Sequence, residues 1–454
     1  MASKRDLVEA HAFNRRRLVT AFLGGAPGGR ELEPARPGRA LVAGVVLALL
    51  LIAGAAVAGF LRPGLPNGWN RNTLVVARDS GARYVATGGT LYPVANTTSA
   101  RLLLPAQDFE VVLAPDDRIA REPRGSAVGI VGAPDALPDP EQLVQTGWTS
   151  CLDQNGRTRL RIAARPGAAP VPESTALLVR SGEDLSVVSG GNRLRVAPET
   201  ATATLRALGL DAIAPLPVPA SWLELFPAGP DLAPLVFPGA GSPLPVGAPQ
   251  PGGATRLGTL VLVGDGADER PYVVSATGLA PLTPVAAALY QVGPGAGLGA
   301  PVRVQQSEVA ALPTTDRELV PAEWPDALPT PTPGPVVCAL LEAGPDQLPR
   351  VALAAPTDEG VVPEGQGQVV VEPARGALIR TVAGGIVNRG TISVVDASGR
   401  RYAVGGPTEE VLARLGYRSV APAPVPLAWS DLLPDGPELS PEAAQQLVTG
   451  GPTS

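Results

Sequence analysis

The chain has 454 residues, 45% of them apolar, with 53 glycines, 52 prolines and a formal net charge of −6. Length allows about two to four domains, and this much glycine and proline points to a turn-rich, mainly β protein with proline-rich connections. Scattered basic residues leave no electrostatic footprint for nucleic acid, and Lys4, His11, Cys151 and Cys338 are the sole members of their types, which excludes several chemistries.

Residues 1–39 form a basic arm. "SKRD" sets Ser3 at a helix N-cap with Asp6 three residues on, the spacing of a capping box. Leu7, His11, Leu18 and Phe22 follow at helical spacing, Arg15, Arg16 and Arg17 turn mostly away, and Gly24 ends the run. A basic amphipathic helix of this kind suits either anionic lipid or a partner subunit. "GGAPGG" from Gly24 has no strand before it, so it reads as a hinge and not as a phosphate cradle.

Residues 40–61, "ALVAGVVLALLLIAGAAVAGFL", carry no charge and no proline, and about 20 such residues cross a bilayer. The run exceeds the apolar core of a signal peptide, about 7 to 15 residues, so a retained transmembrane helix is expected. Lys4 and the arginines before it place the N-terminus in the cytoplasm and residues beyond about 62 outside the inner membrane.

The outer part contains an internal repeat. "APLPVPASW" at Ala214 returns as "APAPVPLAW" at Ala421, and the surrounding sequence aligns without a gap, setting Gly209 over Gly416 and Trp222 over Trp429. Hairpins before these segments recur as "TLVVARDSGARYV" from Thr73 and "TISVVDASGRRYA" from Thr391, matching Ser80, Gly81 and Tyr84 with Ser398, Gly399 and Tyr402. Weaker versions start at Leu177 and Thr259.

Four small repeats are therefore expected, over residues 70–106, 171–240, 256–295 and 386–445, around core segments 107–170 and 300–385. Each repeat reads as a hairpin, a short helix and an extended proline segment. In the clearest copy Thr408 is the expected N-cap and Gly416 the left-handed C-cap, with Gly209 its counterpart. Ser221 and Glu224 have capping-box spacing. Trp222 and Trp429 are expected to be buried and to pin the extended segments. Each core segment holds one cysteine, and outside the inner membrane Cys151 and Cys338 are expected to pair and close one discontinuous β core; two buried free thiols are the alternative.

The ordered series "SKRDLVEAHAFNRRRLVTAFL", the single span, "GARYV", "LYPVANTTSARLLL", "VGIVGAPDALP" and "WTSC" resembles EccB, the membrane component of actinobacterial type VII (ESX) secretion systems. The resemblance covers nearly the whole chain; Val131 departs from it, standing where the family pattern has proline. It implies a cytoplasmic helix, one span, and an elongated periplasmic part with a central β core and four repeat domains. It also implies a structural role in a self-associating inner-membrane complex with the EccC ATPase, EccD and EccE, contact with the mycosin protease MycP, and export of WXG100 and PE/PPE-type substrates.

Some EccB members carry an ATPase label, but Lys4 lacks the glycine-rich turn of a P-loop and the outer part has no lysine. His11 alone cannot supply a catalytic triad or a zinc site outside the membrane. No cofactor is implied. Glu323 and Asp326 beside Trp324 form a carboxylate pair for a wall-remodelling reading, against which aromatics amount to only 4% of residues, too few for a sugar-stacking cleft. The rivals to a structural subunit are thus a peptidoglycan-binding protein and a nucleotide hydrolase. Asn96 in "NTT" matches a glycosylation sequon by chance.

Overall fold

The computed structural model describes residues 3–24, 37–60, 65, 68–153, 155–315, 319–331, 337–344, 347–358, 367–383 and 386–448, in two bodies, 1–64 and 65–454. The first body contains the helix Lys4–Gly24 and the helix Pro37–Phe60. Ser3 N–H donates to the Asp6 carboxylate at 3.0 Å and Ser3 Oγ accepts from Arg5 N–H at 3.1 Å, so Ser3 caps the helix, with Arg5 in place of the Asp6 N–H that a full capping box would use. Residues Ala40–Val57 of the second helix are long and apolar enough to cross a membrane, and none is buried against protein. Beyond Gly24, the glycine-rich hinge lies outside the described residues.

In the second body, four sheets of the described residues share one strand order, third, second, first, fourth. The first β-unit has strands Thr73–Ala77, Arg83–Thr87 and Thr90–Pro93, a helix Thr97–Leu103, and a fourth strand Glu110–Ala114 parallel to the first. Its counterparts begin at Thr175, Leu260 and Ala377 and end in the parallel strands Leu216–Pro217, Val302–Val304 and Ala423–Pro426. A parallel return needs a crossover, which the short helix supplies.

After the fourth strand each chain makes one helical turn and then runs beside the third strand. Here the carbonyls of Pro123, Pro227, Pro313 and Pro434 accept from the N–H groups of Leu91, Arg193, Leu279 and Arg401 at 2.8–2.9 Å. The next-but-one residues are Gly125, Gly229, Thr315 and Gly436. At Gly125, Gly229 and Gly436 the side chains of Tyr92, Leu194 and Tyr402 leave no room for a Cβ.

This register corrects the hairpin match read from the sequence. Tyr402 faces Val394 as Tyr92 faces Val85, so Tyr402 corresponds to Tyr92 and not to Tyr84. Ser398 and Gly399 lie in the second hairpin of their unit, Ser80 and Gly81 in the first. The local resemblance of two "SG" turns misled because both hairpins alternate alike.

The central sheet has strand order Val369–Val371, Thr158–Ile162, Trp148–Leu152, Cys338–Glu342, Arg350–Pro356, Ala168–Pro170, drawing on both cysteine-bearing segments. The segment boundaries shift, however. Glu110–Ala114, Val302–Val304 and Ala377–Val382, assigned to core segments by sequence, hydrogen-bond within the first, third and fourth β-units. Thr408 is the first helical residue behind an N-cap at Pro407 and makes no side-chain cap, and the turn Ala220–Leu223 is capped at Pro219 with no box from Ser221 and Glu224. Gly416 does close its helix in the left-handed region, φ +96°, as Gly209 does at φ +69°.

Packing defines the neighbours. One core joins the central sheet to the second and fourth units, a second joins the second and third units, and a third joins the first and fourth.

Candidate functional site in the tryptophan and disulfide core

Three tryptophans, Trp148, Trp222 and Trp429, are fully buried in one apolar cluster with residues of the central sheet and the second and fourth units. Each indole N–H needs an acceptor when buried. Trp148 donates to Val144 O at 3.1 Å, Trp222 to Ser150 O of the central sheet at 3.0 Å, and Trp429 to Leu225 O of the second unit at 3.1 Å. Phe226 meets Trp222 edge-on at 5.1 Å. The repeated tryptophans therefore clamp their units to neighbours, beyond pinning their own proline strands.

The same position, third after the residue that caps the helical turn, holds Arg118 in the first unit and Glu308 in the third. Those units do not border the central sheet cluster, and their residues remain half-buried and exposed. Tryptophan appears where the turn faces the core.

Cys151 and Cys338 form a disulfide directly across adjacent antiparallel strands, Cα–Cα 4.0 Å, closing a separation of 187 residues. Cys338 is fully buried, and Cys151 is partly so. The bond makes the two distant core segments one unit.

Charged groups brace the periphery. Arg401 forks onto Asp435 at 2.7 and 2.9 Å and donates to Ser430 Oγ at 2.8 Å, tying the fourth unit's third strand to its closing segment. Tyr402 donates to Asp396 at 3.0 Å, and burial first, then the Asp396 charge, pushes its phenol up to about 12. The backbone N–H of Arg157, then that of Asn155 and the Arg159 side chain, hold the Asp153 carboxyl down at about 2 despite some desolvation. Burial raises the Tyr417 phenol, which donates to Pro138 O at 2.7 Å.

Trp324 lies 6% exposed in the core between the second and third units, so its ring is no platform for a sugar between Glu323 and Asp326. Asn96 is buried as a helix N-cap, its amide donating to Ile130 O at 2.8 Å, which leaves no place for a glycan. Lys4 is the first residue of the arm helix, and Arg15, Arg16 and Arg17 lie exposed along it. Among the described residues no cluster of three or more His, Cys, Asp or Glu is disposed to hold a metal.

A family model described as "Type VII secretion system ESX-1, transport TM domain B" matches residues 1–450. The chain belongs to the EccB family. It is 31% identical to the "ESX-3 secretion system ATPase EccB3" of Mycolicibacterium smegmatis, across 88% of this chain and 82% of that protein. A chain in the structure of an intact ESX-5 inner membrane complex is similar with a TM-score of 0.66 and 26% identity, covering 100% of this chain and 97% of that one. A chain in the structure of an EccB3 dimer from the ESX-3 core complex has a TM-score of 0.67 and 28% identity, covering 83% and 100%. Sequence reasoning found the EccB tryptophans and cysteines but missed the P-x-G/T signature at Pro123, Pro227, Pro313 and Pro434, which constant spacing alone would have revealed.

Proposed function

We propose that this EccB-family chain is a non-catalytic structural subunit of a type VII secretion complex in the inner membrane. The carrying observation is the clamp: a disulfide and three buried tryptophans lock two β-units onto a central sheet, an arrangement that fixes surfaces. The apolar helix anchors the chain, with the basic arm in the cytoplasm and residues beyond about 62 outside. The uncovered apolar residues of the arm, among them Leu7, Leu18 and Phe22, support docking on another subunit.

In this reading the chain self-associates and works with the EccC ATPase, EccD, EccE and MycP in export of WXG100 and PE/PPE-type substrates. The EccB family likeness supports those partners, and the solved relative described as a dimer supports self-association. The ATPase in the relatives' name finds no P-loop here, since Lys4 has no glycine-rich turn before it.

Deleting residues 1–62 tests the reading, and purified membrane complexes are expected to lose integrity. Unchanged assembly would overturn it. ATP turnover by highly purified protein that survives separation from EccC, or saturable binding of residues 70–454 to purified cell wall, would replace it with an enzymatic or wall-binding role.

A further inference from the structure

In every β-unit the fourth strand is a sheet edge. Along it, alternate residues point their N–H and C=O groups toward the first strand, and the others point them outward. Arg78 N–H donates to Ala114 O at 2.9 Å, Val218 N–H to Arg180 O at 2.9 Å and Gly264 N–H to Val304 O at 3.2 Å, which fixes the outward set. In the second and fourth units that set is proline: Pro215 and Pro217, Pro422 and Pro424. In the third it is Pro301 and Arg303, the latter paired with Glu269 at 2.7 Å.

Proline and charge are the means by which β proteins keep free edges from pairing. The first unit alone among these four carries neither at the same two places. Val111 and Leu113 stand there, 51% and 59% exposed, with amides directed outward. Two of the alternating prolines in each proline segment are thus edge blocks, and the first unit is the copy left unblocked.

We propose that the outer edge of Glu110–Ala114 docks on the same strand of a second copy, antiparallel about Val112. This deepens the self-association proposed above and rests on it. A two-fold axis through Val112 sets Val111 opposite Leu113 on both sides, so apolar side chains meet across the seam. The outward N–H and C=O groups of the two residues form about four hydrogen bonds, the narrow pairs of an antiparallel ladder. Glu110 falls opposite Ala114, which keeps the two glutamates at opposite ends of the seam. The matching edges of the other units carry proline or charge, so the strand's complement in a second copy is itself.

The test uses the full-length chain in detergent. Val111→Pro with Leu113→Pro copies the proline pairs already tolerated at the equivalent strands, and Leu113→Arg copies Arg303. Both are expected to weaken self-association by about tenfold or more in Kd while thermal unfolding stays near wild type. The pair Val111→Cys with Leu113→Cys adds the only free thiols, since Cys151 and Cys338 are bonded to each other. Its expected product is a disulfide-linked dimer joining position 111 of one copy to 113 of the other, mapped by mass spectrometry. Undiminished dimer with Leu113→Arg and no linked product overturns this edge while leaving self-association standing. A wild-type chain that is monomeric at all concentrations overturns both, and thiols captured only by a different subunit assign the edge to another partner and overturn the second-copy proposal.

Discussion

The Trp429 indole N–H donates to the carbonyl of Leu225 at 3.1 Å, across 204 residues of sequence. Its twin Trp222 donates to Ser150 of the central sheet instead. Two residues aligned by an internal duplication thus serve one clamp from its two sides, and their environments differ where their sequences agree.

Truncating either ring should be costly. Trp429→Ala and Trp222→Ala are each expected to destabilise the body formed by residues 65–454 by about 3–5 kcal/mol, from lost burial and the cavity left behind. Both rings lie in one cluster, so the double variant should lose measurably less than the sum of the singles. Denaturant unfolding of the three variants measures it.

Removing the disulfide acts on the unfolded chain. Closing a 187-residue separation stabilises by about 5 kcal/mol in the chain-entropy account, with measured values often lower. Cys151→Ala with Cys338→Ala should therefore lower the unfolding midpoint, and reductant should lower the wild type but not the variant.

The third-strand position and the P-x-G/T residue form a swap that the chain already contains. Tyr402 stands over Gly436, whereas the third unit has Ala280 and Thr315 at the equivalent places. Gly436→Thr alone should destabilise by about 1–3 kcal/mol by overpacking against the ring. Adding Tyr402→Ala should recover part of that loss, which a double-mutant cycle on thermal unfolding reads directly.

Titration should show at both pH extremes. The Tyr402 phenol is raised in the fold, so its contribution is fully present below about 10, the ordinary value, and is lost as pH rises toward about 12. Tyr402→Phe should shrink the alkaline fall in stability without abolishing it, because burial also raises Tyr290 and Tyr417. Asp153 has the opposite sign: its contribution is present above 3.8 and is lost as pH falls through about 2. Asp153→Asn should flatten the acid limb.

Much of this was legible because it depends on local order. The helix cap at Ser3 with its Asp6 contact, the uncharged run over residues 40–61 and the left-handed closures at Gly209 and Gly416 follow from short-range geometry. The two tryptophan units stood out because both face the central sheet and kept the same residues. The first and third units share the topology but not the surroundings, and there Arg118 and Glu308 replace tryptophan, so their alignment to the tryptophan units was weak, and that of the first unit to the fourth slipped by one hairpin.

The sequence by itself determined the uncharged apolar helix, the mainly β character, the only possible cysteine pair and the alternating prolines, since each depends on composition or near spacing. Which residues a strand edge exposes was decided only in three dimensions. Edge direction depends on the pairing partner, and only the parallel return of Glu110–Ala114 onto Thr73–Ala77 shows that Val111 and Leu113 occupy the places of Pro215 and Pro217. The prolines read along the chain as a spacer; paired into a sheet, they are closed edges beside one that is open.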